Sequence, residues 1–264
     1  MSEILQLITL PAIGFAIGII VGLTGVGGGS LMTPILIGGL GVPPAVAVGT
    51  DLLFAALTKS FGGYAHWRSG NVAPRLLKLL IISSLTGAAI AFALIDALSP
   101  DVEQLNRLIR SALGVALFFT AAALIARPWL LAWRQRGATT APSADINGSA
   151  WPTLLLGAGI GAVVTISSIG AGAIGVTALL LLHPALTLSR VVGTDIAYAV
   201  PLTAAAGLAH ATAGHVDVTL LVGLLTGSIP GILLGARLSS QIPELATRSL
   251  LVALLGIAGA KLVA

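Results

Sequence analysis

Eight apolar stretches, each near the length needed to cross a lipid bilayer, occupy most of this chain. They lie at about 4–24, 45–66, 76–95, 106–127, 151–168, 186–212, 217–236 and 244–263. A membrane-spanning helix needs roughly 20 apolar residues. Two shorter stretches, at about 30–41 and 172–183, follow Gly-rich breaks. They are too short to span comfortably alone and read as half-helices or the second limb of a broken hairpin. The aliphatic residues run on rather than alternate with polar ones, so a helical bundle is expected and not an outer-membrane barrel. Asp, Glu, Lys and Arg make up only 8% of the 264 residues, against about 25% in a soluble domain. That excludes an ordinary soluble enzyme and a disordered chain. Absence of cysteine excludes disulfides, thiol catalysis and Cys-ligated metal. The basic pI of about 10.1 is better explained by loops at a membrane surface than by nucleic acid. No Lys or Arg precedes the first apolar run, which continues into a feature repeated later. It reads as a membrane segment rather than a signal peptide.

That repeat fixes the organisation. Val48-Gly49-Thr50-Asp51 recurs 144 residues on as Val192-Gly193-Thr194-Asp195. At the same offset Ala65-His66 matches Ala209-His210, Gly70 matches Gly214 and Val72 matches Val216. Upstream the offset is 143: Gly14, Gly18, Gly27 and Gly29 match Gly157, Gly161, Gly170 and Gly172. The expected halves are residues 1–127 and 150–264. Residues 128–149, with Arg134, Arg136, Pro142, Asp145 and Gly148, read as an exposed linker.

Loop charge suggests orientation. With the linker in the cytoplasm, Arg68, Arg75, Lys78, Arg127, Arg134, Arg136, Arg190, Arg237 and Arg248 fall inside, while Arg107, Arg110 and Lys261 fall outside. The loop at 67–75 is then inside and its repeat equivalent, 211–219, outside. The expectation is an all-α integral membrane protein with two inverted-topology repeats, each with about five membrane segments and a Gly-broken helix.

In inverted-repeat transporters the substrate site lies near the midplane, where helices are broken. The breaks here are Thr24-Gly25-Val26-Gly27-Gly28-Gly29-Ser30 and Ser167-Ser168-Ile169-Gly170-Ala171-Gly172-Ala173. Glycines allow close backbone approach, and a restarted helix presents free N–H groups suited to an anion. Thr24, Gly27, Gly28, Ser30, Ser167, Ser168, Gly170 and Gly172 are the candidate cradle, with Thr50 and Thr194 as further hydroxyl contacts.

Three ionisable residues fall inside apolar segments: Asp51, Lys59 and Asp195, functional candidates by their cost in lipid. Lys59 lies 8 residues past Asp51, about 12 Å along a helix. Its repeat counterpart is Thr203, so this charge breaks the internal symmetry. It is a candidate to neutralise an anionic substrate; an ion pair or snorkelling toward Arg68 would be the structural alternative. The paired aspartates have two readings, as proton carriers or as structural acceptors for a broken helix. His66 and His210, also matched by the repeat, suit helix-end packing or a pair of gates. Four histidines without His-Glu-x-x-His spacing argue against zinc, and no Gly-x-Ser-x-Gly elbow is present. No cofactor or metal is expected, and no enzymatic activity. Gly223, Gly227, Gly231 and Gly235 form a four-residue ladder, as do Gly14, Gly18 and Gly22. Such faces pack helices closely in lipid, within one chain or across a homodimer.

Gly22-Leu-Thr-Gly-Val-Gly-Gly-Gly-Ser30, Val48-Gly-Thr-Asp-Leu-Leu-Phe-Ala-Ala-Leu-Thr-Lys-Ser60 and Ala65-His-Trp-Arg-Ser-Gly-Asn-Val72 carry a resemblance to a known family. So do Ser168-Ile-Gly-Ala-Gly-Ala-Ile-Gly175 and Val192-Gly-Thr-Asp-Ile-Ala-Tyr-Ala-Val-Pro-Leu-Thr203. The sequence resembles the TauE/SafE sulfite exporter family, the sulfonate uptake permeases. The resemblance covers essentially the whole chain apart from the linker. It implies a multi-pass permease of a bacterial or archaeal inner membrane, carrying anions such as sulfite, sulfoacetate or other sulfonates. The Thr-Asp pair departs from members with Thr-Ser there, which bears on substrate or coupling. With H⁺ as a candidate coupling ion, alternating access between repeats is the expected mechanism. A cation-coupled carrier of another small anion and a non-transporting membrane subunit are the alternatives.

Overall fold

The computed structural model describes residues 3–24, 29–98, 101–137, 149–238 and 244–263. Among these residues there are ten helices and no strand. They are α1 (Glu3–Thr24), α2 (Gly29–Leu40), α3 (Pro44–Arg68), α4 (Pro74–Leu98) and α5 (Val102–Gly137), then α6 (Trp151–Ser167), α7 (Ala173–Leu182), α8 (Leu188–Thr212), α9 (Val218–Leu238) and α10 (Glu244–Val263). The apolar segments of the sequence become helices nearly one for one. Five stretches are long and apolar enough to cross a membrane: Pro44–Arg68, Pro74–Ile95, Val102–Leu130, Leu188–Thr212 and Val218–Gly235. The apolar parts of α1, α6 and α10 are shorter, as are α2 and α7. Large apolar side chains such as Phe61 (72% exposed) and Phe118 (70%) cover the outside, which suits a lipid solvent and not water.

One sequence boundary shifts. Helix α5 continues through Pro128 to Gly137, so the hydrophilic stretch begins inside a helix and not at residue 128. A proline removes one backbone donor and kinks a helix without always ending it, and Trp129-Leu-Leu-Ala-Trp133 supplies residues that sustain helix. Residues 138–148 lie outside the described residues.

The halves interlock by exchanging partners. α1 packs along α9 and α6 along α4, while the equivalent helices α3 and α8 pack on each other. Glycine makes the first two seams. A Cβ on Gly18 would run into the carbonyl of Ser228, and one on Gly161 into that of Ser84, its repeat equivalent. Gly231 meets the carbonyl of Phe15 in the same way that Gly87 meets that of Ala158. The ladders Gly14–Gly18 and Gly223–Gly235 are therefore consumed by contacts within one chain. Without hydrophobic drive between helices in lipid, backbone-to-backbone contact through small residues is what holds them.

Helices α3 and α8 run antiparallel. Gly63 faces Ala197 and Val200, Gly207 faces Leu53, Gly49 faces His210 and His215, and Gly193 faces His66 and Asn71. Each helix ends in the same cap. Gly70 (φ +67°) and Gly214 (φ +76°) turn left-handed, and the Asn71 and His215 amides donate back to the His66 and His210 carbonyls at 3.0 and 2.9 Å. This is the glycine C-terminal motif that pairs otherwise orphaned carbonyls. Both turns are latched to the opposite half. The amide of Ala73 donates to Thr194 Oγ1 at 2.9 Å, and the amide of Asp217 to Thr50 Oγ1 at 3.0 Å.

Gly227→Ala and Gly87→Ala should each destabilise the protein by on the order of 1–3 kcal/mol, because the new methyl meets a fixed backbone carbonyl. Gly256, with open space around it, should accept alanine within about 0.5 kcal/mol. Thermal unfolding of the three variants in detergent checks this; equal midpoints would remove the seams as the source of stability.

Candidate functional site

Asp51 and Asp195 lie two turns into α3 and α8, at 0% and 1% exposure. Each faces the short helix of its own half. The Thr33 hydroxyl, on α2, donates to Asp51 Oδ2 at 2.5 Å. On α7, Gly175 abuts Asp195 so closely that a Cβ there would collide with Oδ1. The Gly172 amide and the Tyr198 hydroxyl are directed toward Asp195, yet Asp195 Oδ1 and Tyr198 Oη make no hydrogen bond and are fully buried. Lys59 is half-buried on α3, within electrostatic reach of both carboxylates. Antiparallel packing is what allows this, because it brings the first turns of α3 and α8 to opposite ends of the pair with Lys59 between them.

The second break is well defined. Helix α6 stops at Ser167, whose hydroxyl donates to the Val163 carbonyl at 2.7 Å and accepts from the Ile169 amide at 3.2 Å. Ser168 is left-handed (φ +57°), and Gly170 and Gly172 have φ of +137° and +120°, angles that exclude side chains with a Cβ. Ser168 Oγ is buried without a partner and lies toward Asp51 of the other half. Of the first break, Gly27 and Gly28 lie outside the described residues; Thr24 and Ser30 are placed by backbone only, in α1 and α2.

Among the sequence candidates the fold thus brings together Asp51, Lys59, Asp195, Ser168 and Gly172. Ser167, Thr50 and Thr194 spend their hydroxyls on backbone. Thr194, besides accepting from Ala73, donates to the Arg190 carbonyl at 2.7 Å. Thr33 and Tyr198 are functional candidates that sequence reasoning missed. Tyr198 stands three residues after Asp195, one turn along the same face, and is the buried one of the two tyrosines; that spacing was the available signal. Thr33 had none beyond following the break.

His66 and His210 pack at the capped helix ends. His210 is fully buried, its Nε2 lies 3.0 Å from the Thr165 carbonyl, and Phe92 meets its ring edge-on at 5.5 Å. His215, in the α8–α9 turn, lies 5.5 Å from His210 ring to ring. An apolar groove of about 780 Å³ opens between α5, α6 and α7, lined by residues such as Phe119, Leu155, Ile160 and Leu181. Its one hydroxyl, Thr177, is donated to the Ala173 carbonyl, so the groove offers nothing to an anion. The described residues contain no group of three or more His, Cys, Asp or Glu that could hold a metal.

A glycine-broken helix beside buried carboxylates, inside a bundle clad in apolar side chains, defines a polytopic membrane protein with a polar site at its core. The profile described as Sulfite exporter TauE/SafE matches residues 10–262. The chain belongs to the TauE/SafE family of membrane transporters. It is 35% identical over 256 residues to YjnA of Bacillus subtilis (strain 168), a "probable membrane transporter protein", covering 97% of this chain and 99% of YjnA. YdhB of the same organism, described in the same words, is 26% identical over 250 residues, covering 93% and 95% of the two chains. No solved structure matches.

Burial holds the His215 imidazole below the ordinary histidine range. The unfolded chain therefore binds this proton first as pH falls. Stability is unaffected well above pH ~6.5 and declines below it. His215→Asn, which installs the residue found at the repeat position Asn71, should lessen the drop in Tm between about pH 7.5 and about pH 5.5. An identical drop in both proteins would show that His215 plays no part.

Proposed function

We propose that this transporter carries small sulfur-containing anions, such as sulfite, sulfoacetate or other sulfonates, as a secondary permease of a bacterial cell membrane. Access alternates between two inverted repeats, residues 1–127 and 150–264. The antiparallel packing of the equivalent helices α3 and α8 supports the inversion, because a two-fold axis relating them must cross the helices rather than follow them. The exchanged pairs α1–α9 and α6–α4 and the matching latches Thr50–Asp217 and Thr194–Ala73 support it too. Both seams are lined by glycine, so each can act as a unit that rocks against the central pair. The family's sulfite exporter description supports the substrate class.

One observation carries the reading: Lys59 stands between the two buried carboxylates, close to a helix break whose Ser168 hydroxyl is buried and unpartnered. A cation near the break where α7 restarts at Gly172 offers an anion both charge and free N–H groups. A metal-cation carrier is disfavoured, because Lys59 faces both aspartates.

Lys59→Ala should lower sulfite or sulfoacetate uptake into proteoliposomes about tenfold or more, the effect of losing a charge-assisted contact, while the protein stays folded. Uptake equal to wild type would remove Lys59 from the site. No flux of any anion through the wild-type protein would leave the non-transporting subunit as the better reading.

A further inference from the structure

Two carboxylates and one ammonium meet in the interior of α3 and α8. Asp51 and Asp195 are fully buried and Lys59 is the basic side chain within reach of both. The basic residues elsewhere in these two helices, Arg68 and Arg190, sit at their ends. With both acids ionised the site holds one uncompensated negative charge, which lipid-buried protein does not tolerate well, and an arriving anion adds to it. A proton on one carboxyl removes this excess without requiring further ligands.

The two acids are not equivalent, although the repeat places them alike. Thr33 donates to Asp51, while the hydroxyl of Thr177 on α7 goes to the Ala173 carbonyl and not to Asp195. Conversely Tyr198 stands beside Asp195, and its repeat position holds Phe54. One oxygen of Asp51 is thus held as an acceptor by a fixed hydroxyl, while its Oδ1 is buried without a partner. Asp195 Oδ1 and Tyr198 Oη are neighbours, both near the missing Cβ of Gly175, and both buried without a hydrogen bond. Gly175 leaves no room for another partner. The Tyr198 hydroxyl can donate to an ionised Asp195 or accept from a protonated one, so this pair suits both states of the acid.

We propose that Asp195 is the proton-binding site, taking up one H⁺ as the anion loads and releasing it as the anion leaves, while Asp51 remains the fixed counter-charge of Lys59. The titratable groups facing Asp195 are Tyr198 on its own helix and Lys59 on α3; the start of α7 presents its N-cap Gly172 and Gly175. Asp51 acts on it only through the shared Lys59. A metal ion fits poorly here, since it would need several oxygen ligands next to an ammonium. Coupling to an anion rests on the transport reading above; proton binding by Asp195 does not.

Infrared difference spectroscopy of the purified protein between acidic and alkaline buffer reads the protonation directly, with no substrate present. A carboxylic acid band should titrate in wild type, vanish in Asp195→Asn and persist in Asp51→Asn. Tyr198→Phe should shift that band, and Thr33→Val should not; this pair decides the question if Asp195→Asn fails to fold. A band that survives in Asp195→Asn, vanishes in Asp51→Asn or is absent from wild type would overturn the proposal. In proteoliposomes with a trapped pH dye, sulfoacetate should bring protons in with it. Asp195→Asn should lose at least tenfold of the uptake driven by a pH gradient, and the uptake that is left should no longer depend on pH. Gradient-driven uptake equal to wild type, or uptake that follows Na⁺ and ignores pH, would overturn proton coupling. If no anion moves at all, the infrared result still stands and only the transport reading falls.

Discussion

Backbone amides and carbonyls cannot be left unpaired in hydrocarbon, and that constraint organises this protein around its helix breaks. A continuous helix satisfies itself; a helix interrupted by Gly170 and Gly172 does not. The interruption is tolerable only where protein surrounds it. The central pair α3 and α8 provides that surrounding, with Asp51 and Asp195 facing the short helices α2 and α7. The outer seams, α1 on α9 and α4 on α6, close the structure around them. Their close approach depends on glycine, because carbonyls of the facing helix occupy the space a Cβ would need.

The same geometry creates the site. Equivalent helices packed antiparallel place their first turns at opposite ends, so two matched aspartates become separated sites with one shared neighbour. Lys59 belongs to one repeat alone, so the symmetry of the scaffold does not extend to the charge. The exchange of hydroxyls, Thr33 on one side and Tyr198 on the other, makes the two carboxylates chemically different.

Much of this was legible beforehand. Helix positions followed from apolar run length, because in lipid the length of a run and the presence of a helix are the same constraint. The Gly223–Gly235 ladder announced a close seam by its four-residue spacing, though not its partner. The continuation of α5 past Pro128 was not legible, since a proline in a polar stretch suggests a break and only the flanking Trp and Leu residues argued otherwise. Thr50 and Thr194 looked like ligand contacts because they adjoin the aspartates; their partners, the amides of Asp217 and Ala73, lie in the other half and are invisible to local reading.

The sequence by itself determined an all-helical bundle with membrane-spanning stretches, the break at Gly170 and Gly172, and Asp51, Lys59 and Asp195 within apolar helices. These depend on composition and spacing along one chain. The tertiary structure decided which helices pair, that Lys59 stands between both carboxylates, and that Ser168 and Tyr198 are buried hydroxyls without partners. Those depend on contacts between residues more than a hundred positions apart, where no local pattern records which side chain meets which.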